Sequence, residues 1–491
     1  MNADSAAAIV GVAQVVQRPG DLALVDALGP IELMVAAARA AAADAGGEGL
    51  LTRVGFVGVA GGWWRYRNPG QLVAAEIGCD GARAALAAVS GTGPQDMLGL
   101  AAERITRGEL DVALIVGGEA RWTMQRLKRL GEVPTWTVAE GEGDPERVSG
   151  FPDEMLAEMG VLGSATAAYA LFDDRLRSAH GRTVPEQRDH VAALWSRLSH
   201  VAARNPYAWD QTPHAPASIR DASNDNRMIA FPYTKAMVAN NTVDMGCAIL
   251  LCSVGVARSL GVSADRMVFP QVVTSSHETW TVATRNELHE SPALVAAGRA
   301  AFDHAGHGPD DFAHVDLYAC FPSIVQMSSD ALGLGSGVGT DRALSTTGGL
   351  GFAGAPVGNA VGHSIASIVE RVRIGGLGLV HGNGGSATKH SFAVYADHPP
   401  TSFARIDVQE QIDLRARRAL AADCDGVATV EAATVVYDRG GPSHVLAAVL
   451  DATGARGWAT CRDETVCAES EAVGIDGITV TLDGSGSFVP V

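Results

Sequence analysis

Several signals are missing from this sequence, and each absence removes a class of function. The seven cysteines, Cys79, Cys247, Cys252, Cys320, Cys424, Cys461 and Cys467, are scattered and odd in number. No pair has metal-type spacing, which argues against a zinc site or a disulfide scaffold and suits a reducing compartment. No stretch approaches the ~18 apolar residues of a membrane span, and "MNADSAAAIVGVAQV" lacks the basic start and long apolar core of a secretion signal. A soluble, cytoplasmic protein is expected. Cations are also in short supply: 37 Lys and Arg against 55 Asp and Glu leave a formal charge of -18. A general nucleic-acid or anionic-membrane surface would need the opposite balance.

What is present describes an α/β globule. Hydrophobic residues make up 47% of the 491 positions and charged residues 19%, with 57 glycines to turn the chain. That length predicts two or three domains. "AAAIVGVAQVV" reads as a buried strand and "IELMVAAARAAAADAGG" as a helix stopped at Gly46 and Gly47. "VGFVGVAGG" and "DVALIVGGEA" are further strands, the latter preceded by the helix of "MLGLAAERITRGEL". This alternation predicts buried sheet covered by helices.

The pattern breaks from about 121 to 230, a polar region rich in Pro, Trp and Arg that reads as an insertion lying over the core. It resumes at "VDMGCAILLCSVGVARSLG" and "HVDLYACFPSIVQMSSDALG", and closes at "IASIVERVRIGGLGLVHGNGGSATKHSFAVYA". "DVALIVGGEA" and "GLGLVHGNGGSA" both follow a basic helix and end in paired glycines. "AAVSGTGPQDML" and "LYACFPSIVQMS" both pass from small residues into a helix. Two matches in the same order suggest a duplicated unit. From about 405 the segments become short, β-branched and separated by Gly, Pro and Asp, predicting a small all-β barrel joined through helical residues 409 to 422.

Three glycine-rich junctions carry most of the chemical signal: "SGTGPQ" at 90 to 95, "GGLGFAGAPVGNAVGH" at 348 to 363 and "HGNGGSA" at 381 to 387. None has Walker spacing, and a dinucleotide fingerprint would need an acidic residue at the next strand end. In the order in which they occur, with "AYALFDDRLR", "FPYTKAMVANNTVDMGCAILLCS" and "DLYACFPS", they resemble the thiolase superfamily over about residues 8 to 397. The flavour is that of the sterol-carrier-protein thiolases. With the β-rich tail, the chain is similar to the thiolase-like proteins of type 1.

The resemblance implies a duplicated thiolase fold of αβαβα layers. Its halves would be residues 1–120 with 231–255, and 256–398. An inserted loop domain would occupy 121–230, and an oligonucleotide-binding-type barrel with its linking helix 405–491. It also implies pairing of two copies through core strands, unless the barrel blocks that contact.

Thiolases form or break a carbon–carbon bond through an acyl-cysteine, using a nucleophile at a helix start, a base, a second acid/base and oxyanion donors. Here Ser90 stands where the family has its nucleophilic cysteine, and Ala355 in "GAP" where it has the histidine of "GHP". His381 replaces the second cysteine, and Tyr318 in "YACF" the oxyanion residue. A serine is several pKa units harder to ionise than a thiol, while a helix terminus contributes only about 0.3–1 kcal/mol to an anion.

Three readings follow. The chain binds acyl-CoA or a lipid-like ligand without thiolase chemistry, in lipid or sterol metabolism. Or it is an acyltransferase or thioesterase using Ser90 with His381, or Cys320. Or it is a scaffold that docks a protein partner through its barrel. Coenzyme A or acyl-CoA is the expected ligand, with no covalently bound cofactor, no metal and no nucleic acid. Gly384 and Gly385 are expected to shape the pocket, and Arg121, Arg126, Lys128 and Arg129 in "RWTMQRLKRL" to anchor the cofactor's phosphates. His363 reads as a packing rather than a catalytic residue, and His277 in "TSSHET" as unspecific.

Overall fold

The computed structural model describes every residue except Met1, Asn2, Gly47, Thr137, Val138, 336–341 and 422–424. Gly47 and Cys424 therefore lie outside the described residues. Gly46 ends the helix Pro30–Ala45 with φ of 83°, a left-handed conformation open to glycine at no steric cost.

Two mixed sheets form the body. Along the first run Ala7–Val16, Asp244–Ser253, Val112–Ala120, Val54–Val59, Arg83–Ala87 and Glu146–Val148. Along the second, starting from the equivalent strand, run Phe269–His277, Lys389–Ala396, Leu377–Gly384 and Phe312–Asp316, with Ala404–Asp407 added in parallel outside Phe269–His277. The pairing directions repeat in the same order, antiparallel, antiparallel, parallel, from one sheet to the other. The chain is thus duplicated, and "DVALIVGGEA" and "GLGLVHGNGG" do occupy the same place in each half.

The second apparent match resolves differently. Helix Gly93–Thr106, which opens after Ser90, lies between the two sheets beside Ala360–Val372; the two bury Met97, Leu98, Ala101, Val361 and Ile365 in one shared core. Helix Pro322–Leu332, after "YACF", lies outside the second sheet against Ala165–Ala179 and Pro292–Ala305. The counterpart of Gly93–Thr106 is Ala360–Val372. Pro30–Ala45 covers the outer face of the first sheet, completing five layers, αβαβα. Because both faces of each sheet are covered, Val112–Ala120 is buried at every position, as its unbroken apolar run requires.

Residues 121–230 are largely helical, with Arg121–Leu130, Asp153–Leu162, Ala165–Ala179, Val184–Ala202 and Pro216–Arg220, and they lend the short strand Glu146–Val148 to the first sheet. Among the described residues no single helix is long and apolar enough to cross a membrane. Asp153–Leu162 and Ala165–Ala179 pass that test only as a pair bent by 78°.

The C-terminal unit is an antiparallel sheet ordered Arg456–Cys461, Pro442–Asp451, Asp425–Tyr437, Thr479–Asp483, Phe488–Pro490. Its two ends approach through a bridge between Thr460 and Ser487. One helix, Glu464–Ala472, is capped by Asp463 and connects Arg456–Cys461 to Thr479–Asp483 along the chain. The linking helix is shorter than expected, Gln409–Asp413. Beyond it Arg418 gives its donors to the carbonyls of Asn286 and Gly454. Arg456, fully buried, bonds both oxygens of Glu431 at 2.5 and 2.7 Å and the carbonyls of Val282, Ala283, Arg285 and Asn286, fastening this unit to the body.

Candidate functional site

Strand Arg83–Ala87 delivers the chain to Ser90 just before helix Gly93–Thr106 begins. Ser90 is buried, and its Oγ accepts the Thr92 N–H at 3.2 Å and lies 3.0 Å from Thr92 Oγ1. The Thr92 hydroxyl donates to Asp96 at 3.0 Å, so the Ser90 proton points at the Thr92 oxygen. The serine is thus occupied in local hydrogen bonding, and among the described residues no imidazole or amine hydrogen-bonds to it.

The other family positions are spread around this point. Tyr318 presses on Gly91 so closely that a Cβ there would sit 2.4 Å from Tyr318 Cε2. Burial pushes its hydroxyl well above the ordinary tyrosine range. Ala355 is buried, with its N–H on the Asn240 carbonyl at 2.9 Å. The wall of the site there is made by Val357 and Gly358. Val357 has φ of 49°, a strained conformation for a β-branched residue and of the kind that collects at ligand sites.

His381 does not join Ser90. Side chains alternate along a strand, and Gly382 and Gly384 face the central helix, where their Cβ atoms would meet Gly91 and Ser90; His381 faces away. It stacks on Phe392 at 4.5 Å, with Nδ1 3.3 Å from Ser328 Oγ and Nε2 3.3 Å from His390 Nδ1. Burial lowers its pKa to about 3, so it is neutral. The expected Ser90–His381 couple is therefore not formed, because His381 lies on the face of its strand opposite the one that meets Ser90.

Ser90, Tyr318, Cys320, Gly384 and Gly385 line a cavity of about 270 Å³, completed by Val238, Ala239 and Asn241 from the segment before Asp244–Ser253. At both glycines a side chain would crowd the wall. A Cβ on Gly384 would lie 2.1 Å from Ser90 Oγ, and one on Gly385, whose φ is 67°, 2.4 Å from Met155 Cε. Burial pushes the Cys320 thiol up to about 12, which keeps it protonated and a poor nucleophile.

The predicted phosphate anchors lie outside the cavity wall. Arg126, Lys128 and Arg129 are exposed on Arg121–Leu130, and Arg121 stacks on Trp63 at 4.1 Å. The helix nevertheless starts next to the cavity-lining segment, with Arg121 N–H on the Val243 carbonyl at 3.0 Å. His363 is buried, bonded to Gln14 at 2.9 Å and held neutral with a pKa lowered to about 3 by burial. His277 stacks on Trp280 at 4.0 Å. Among the described residues no group of His, Cys, Asp and Glu could hold a metal.

Two cavity residues escaped the sequence reading. Tyr169 stacks on Phe321 at 4.4 Å and its hydroxyl ties Gly385, Ala387 and Asn383 together. In sequence it is one apolar helix residue in "ATAAYALFDD", with no signal of that role. Asn383 did carry one, as the polar residue inside the glycine run "HGNGG". The assembled site offers hydroxyl groups, a carboxamide and close-approach glycines, and among the described residues no base hydrogen-bonded to Ser90.

Comparison with known proteins agrees with this geometry. The profile of the family "thiolase-like protein type 1 additional C-terminal domain" matches residues 407–486. No curated protein matches the sequence. A monomeric SCP2-thiolase-like protein type 1 from Mycobacterium smegmatis superposes with a TM-score of 0.85 at 29% identity, covering 100% of both chains. An acetyl-CoA acetyltransferase from Syntrophomonas wolfei gives 0.57 at 15% identity, over 80% of this chain and 99% of its own. The Acat5 thiolase from Ascaris suum, in complex with coenzyme A, gives 0.57 at 13% identity, over 80% and 99%. With duplicated αβαβα layers in the body and a C-terminal segment that matches the additional domain of thiolase-like proteins of type 1, this chain has a thiolase-like fold and is similar over its whole length to a thiolase-like protein of type 1.

Proposed function

We propose that this protein binds an acyl-CoA, or a related lipid-linked thioester, in the cavity beside Ser90 and does not perform thiolase chemistry. One observation carries the reading: the cavity keeps Ser90, Tyr318, Gly384 and Gly385 in its wall, while the base position is Ala355 and His381 faces away. The residues present suit such a ligand. Two glycines let backbone approach a flat thioester, the Tyr318 hydroxyl is available to its carbonyl oxygen, and Val238 and Ala239 give an apolar wall to the chain. The exposed cations of Arg121–Leu130, next to the segment that lines the cavity, are suited to the phosphates of coenzyme A. A thioester ligand of this kind fits a role in lipid or sterol metabolism, and the absence of any long apolar helix among the described residues is compatible with a cytoplasmic location.

Calorimetric titration with acetyl-CoA tests binding, and loss of the acetoacetyl-CoA enolate absorbance in the presence of CoA tests thiolysis. Saturable heat without turnover is expected, with weaker binding after joint substitution of Arg126, Lys128 and Arg129 by alanine. No heat would favour a scaffold acting through the C-terminal unit. Turnover that disappears in Ser90→Ala would show an enzyme.

A further inference from the structure

Asn383 is only 1% exposed and lines the cavity, and its two polar side-chain atoms are treated unequally. Nδ2 donates to the Tyr169 hydroxyl at 2.8 Å and lies 3.8 Å from the Cys320 sulfur. Oδ1 is buried and has no donor among the described residues.

Tyr169 fixes which end of the amide is which. Its hydroxyl carries one hydrogen, donated to the Gly385 carbonyl at 3.0 Å, and it accepts the Ala387 N–H at 2.8 Å. With that hydrogen spent it can only accept from Asn383, so the amide nitrogen faces Tyr169 and the oxygen faces elsewhere. Buried acceptors without a donor are rare in folded proteins and ask for a partner from outside the chain.

The position of this acceptor narrows the partner. The backbone carbonyl oxygen of Asn383 would lie 2.3 Å from a Cβ on Gly91, and the Asn383 side chain, on the strand face opposite Gly384, reaches Tyr169 and Cys320, which line the same cavity. It stands at the level of Ser90, where the thioester reading places the acyl group, and beside Cys320 rather than a charged group. We infer that Asn383 Oδ1 accepts a hydrogen bond from a hydroxyl on the bound acyl chain, so that the cavity selects hydroxyacyl thioesters over saturated and oxo ones. A saturated chain leaves the acceptor unpaired, and an oxo group sets one acceptor against another. The inference rests on the acyl-CoA reading of the same cavity.

The test is calorimetric titration of the full chain with 2-hydroxybutyryl-, 3-hydroxybutyryl-, butyryl- and acetoacetyl-CoA and with CoA alone. One of the two hydroxy ligands is expected to bind about tenfold more tightly than butyryl-CoA. In Asn383→Ala, shown to be folded by its melting temperature, that ratio is expected to fall to about one. Equal affinity of the hydroxy and saturated ligands for the unaltered protein overturns the inference, whatever the variant does. So does an Asn383→Ala variant that weakens every ligand and free CoA alike, since an amide N–H of the pantetheine arm would then be the partner. Absence of heat from all five ligands would instead overturn the acyl-CoA reading, and this inference with it.

Discussion

Replacing Gly384 with alanine tests directly whether the wall of the cavity is set by contact with Ser90. The added Cβ would lie 2.1 Å from Ser90 Oγ and 3.2 Å from Ser90 Cβ. Only the first distance is impossible, so the hydroxyl must rotate away and give up its bonds to the Thr92 N–H and to Thr92 Oγ1. At about 0.5–1.5 kcal/mol each, these predict a loss of about 1–3 kcal/mol for Gly384→Ala. Ser90→Ala loses the same two bonds and should cost a similar amount. In the double variant the oxygen that clashed is gone, so the two costs should not add: the pair should be about as stable as either single variant. The measurement is a denaturant titration followed by far-UV circular dichroism for all four proteins, compared at the same transition because a chain of this size unfolds in more than one step. Strict additivity, or a Gly384→Ala variant as stable as the parent, would refute the reasoning. Gly384→Ala should also weaken acetyl-CoA binding, since the new methyl group occupies cavity space.

Arg456→Ala, which strands the buried Glu431 carboxylate and four carbonyls, should cost roughly 3–5 kcal/mol, and Arg456→Met with Glu431→Met together should cost less, as thermal melts will show. Burial pushes Glu119 up to about 7 while its Oε1 accepts the Trp63 N–H at 2.6 Å. The folded state then holds a proton that the unfolded chain has released, so this contribution is full below about pH 4.5 and is lost as pH rises to 7, by about 3 kcal/mol. Glu119→Gln should flatten that slope in denaturant titrations between those limits, and an unchanged slope would refute the assignment. Cys320, protonated at neutral pH, should resist iodoacetamide at pH 8 far longer in the native than in the unfolded protein, as measured by mass spectrometry of its peptide.

The body of the fold was legible because its strands are continuous apolar runs alternating with helical patterns, and because "DVALIVGGEA" and "GLGLVHGNGG" hold equivalent places. Local likeness misled where it was only a helix entry: Ser90 and Tyr318 both precede helices, yet one helix lies between the sheets and the other outside them. Within the site, Ser90, Gly384 and Gly385 were readable, since small residues at strand ends are chosen for backbone contacts that any reader can anticipate. Which way His381 points was not, because it depends on register against the neighbouring strand rather than on nearby residues. Tyr169 was invisible for a related reason: its partners are more than two hundred residues away in sequence. Helix Glu464–Ala472 was the more accessible omission, with Asp463 as its cap and helix-forming Glu and Ala residues after it.

The short strand Glu146–Val148 bears on how this protein responds to dilution. An open sheet edge is a template for a second chain, and a fold that relies on such a chain loses stability as concentration falls. Here the margin at Arg83–Ala87 is taken by three residues of the chain's own insertion, held by Arg104, which grips both oxygens of Glu146 at 2.9 Å. Along that stretch the partner is supplied at a fixed effective concentration, and its pairing is independent of how much protein is in solution.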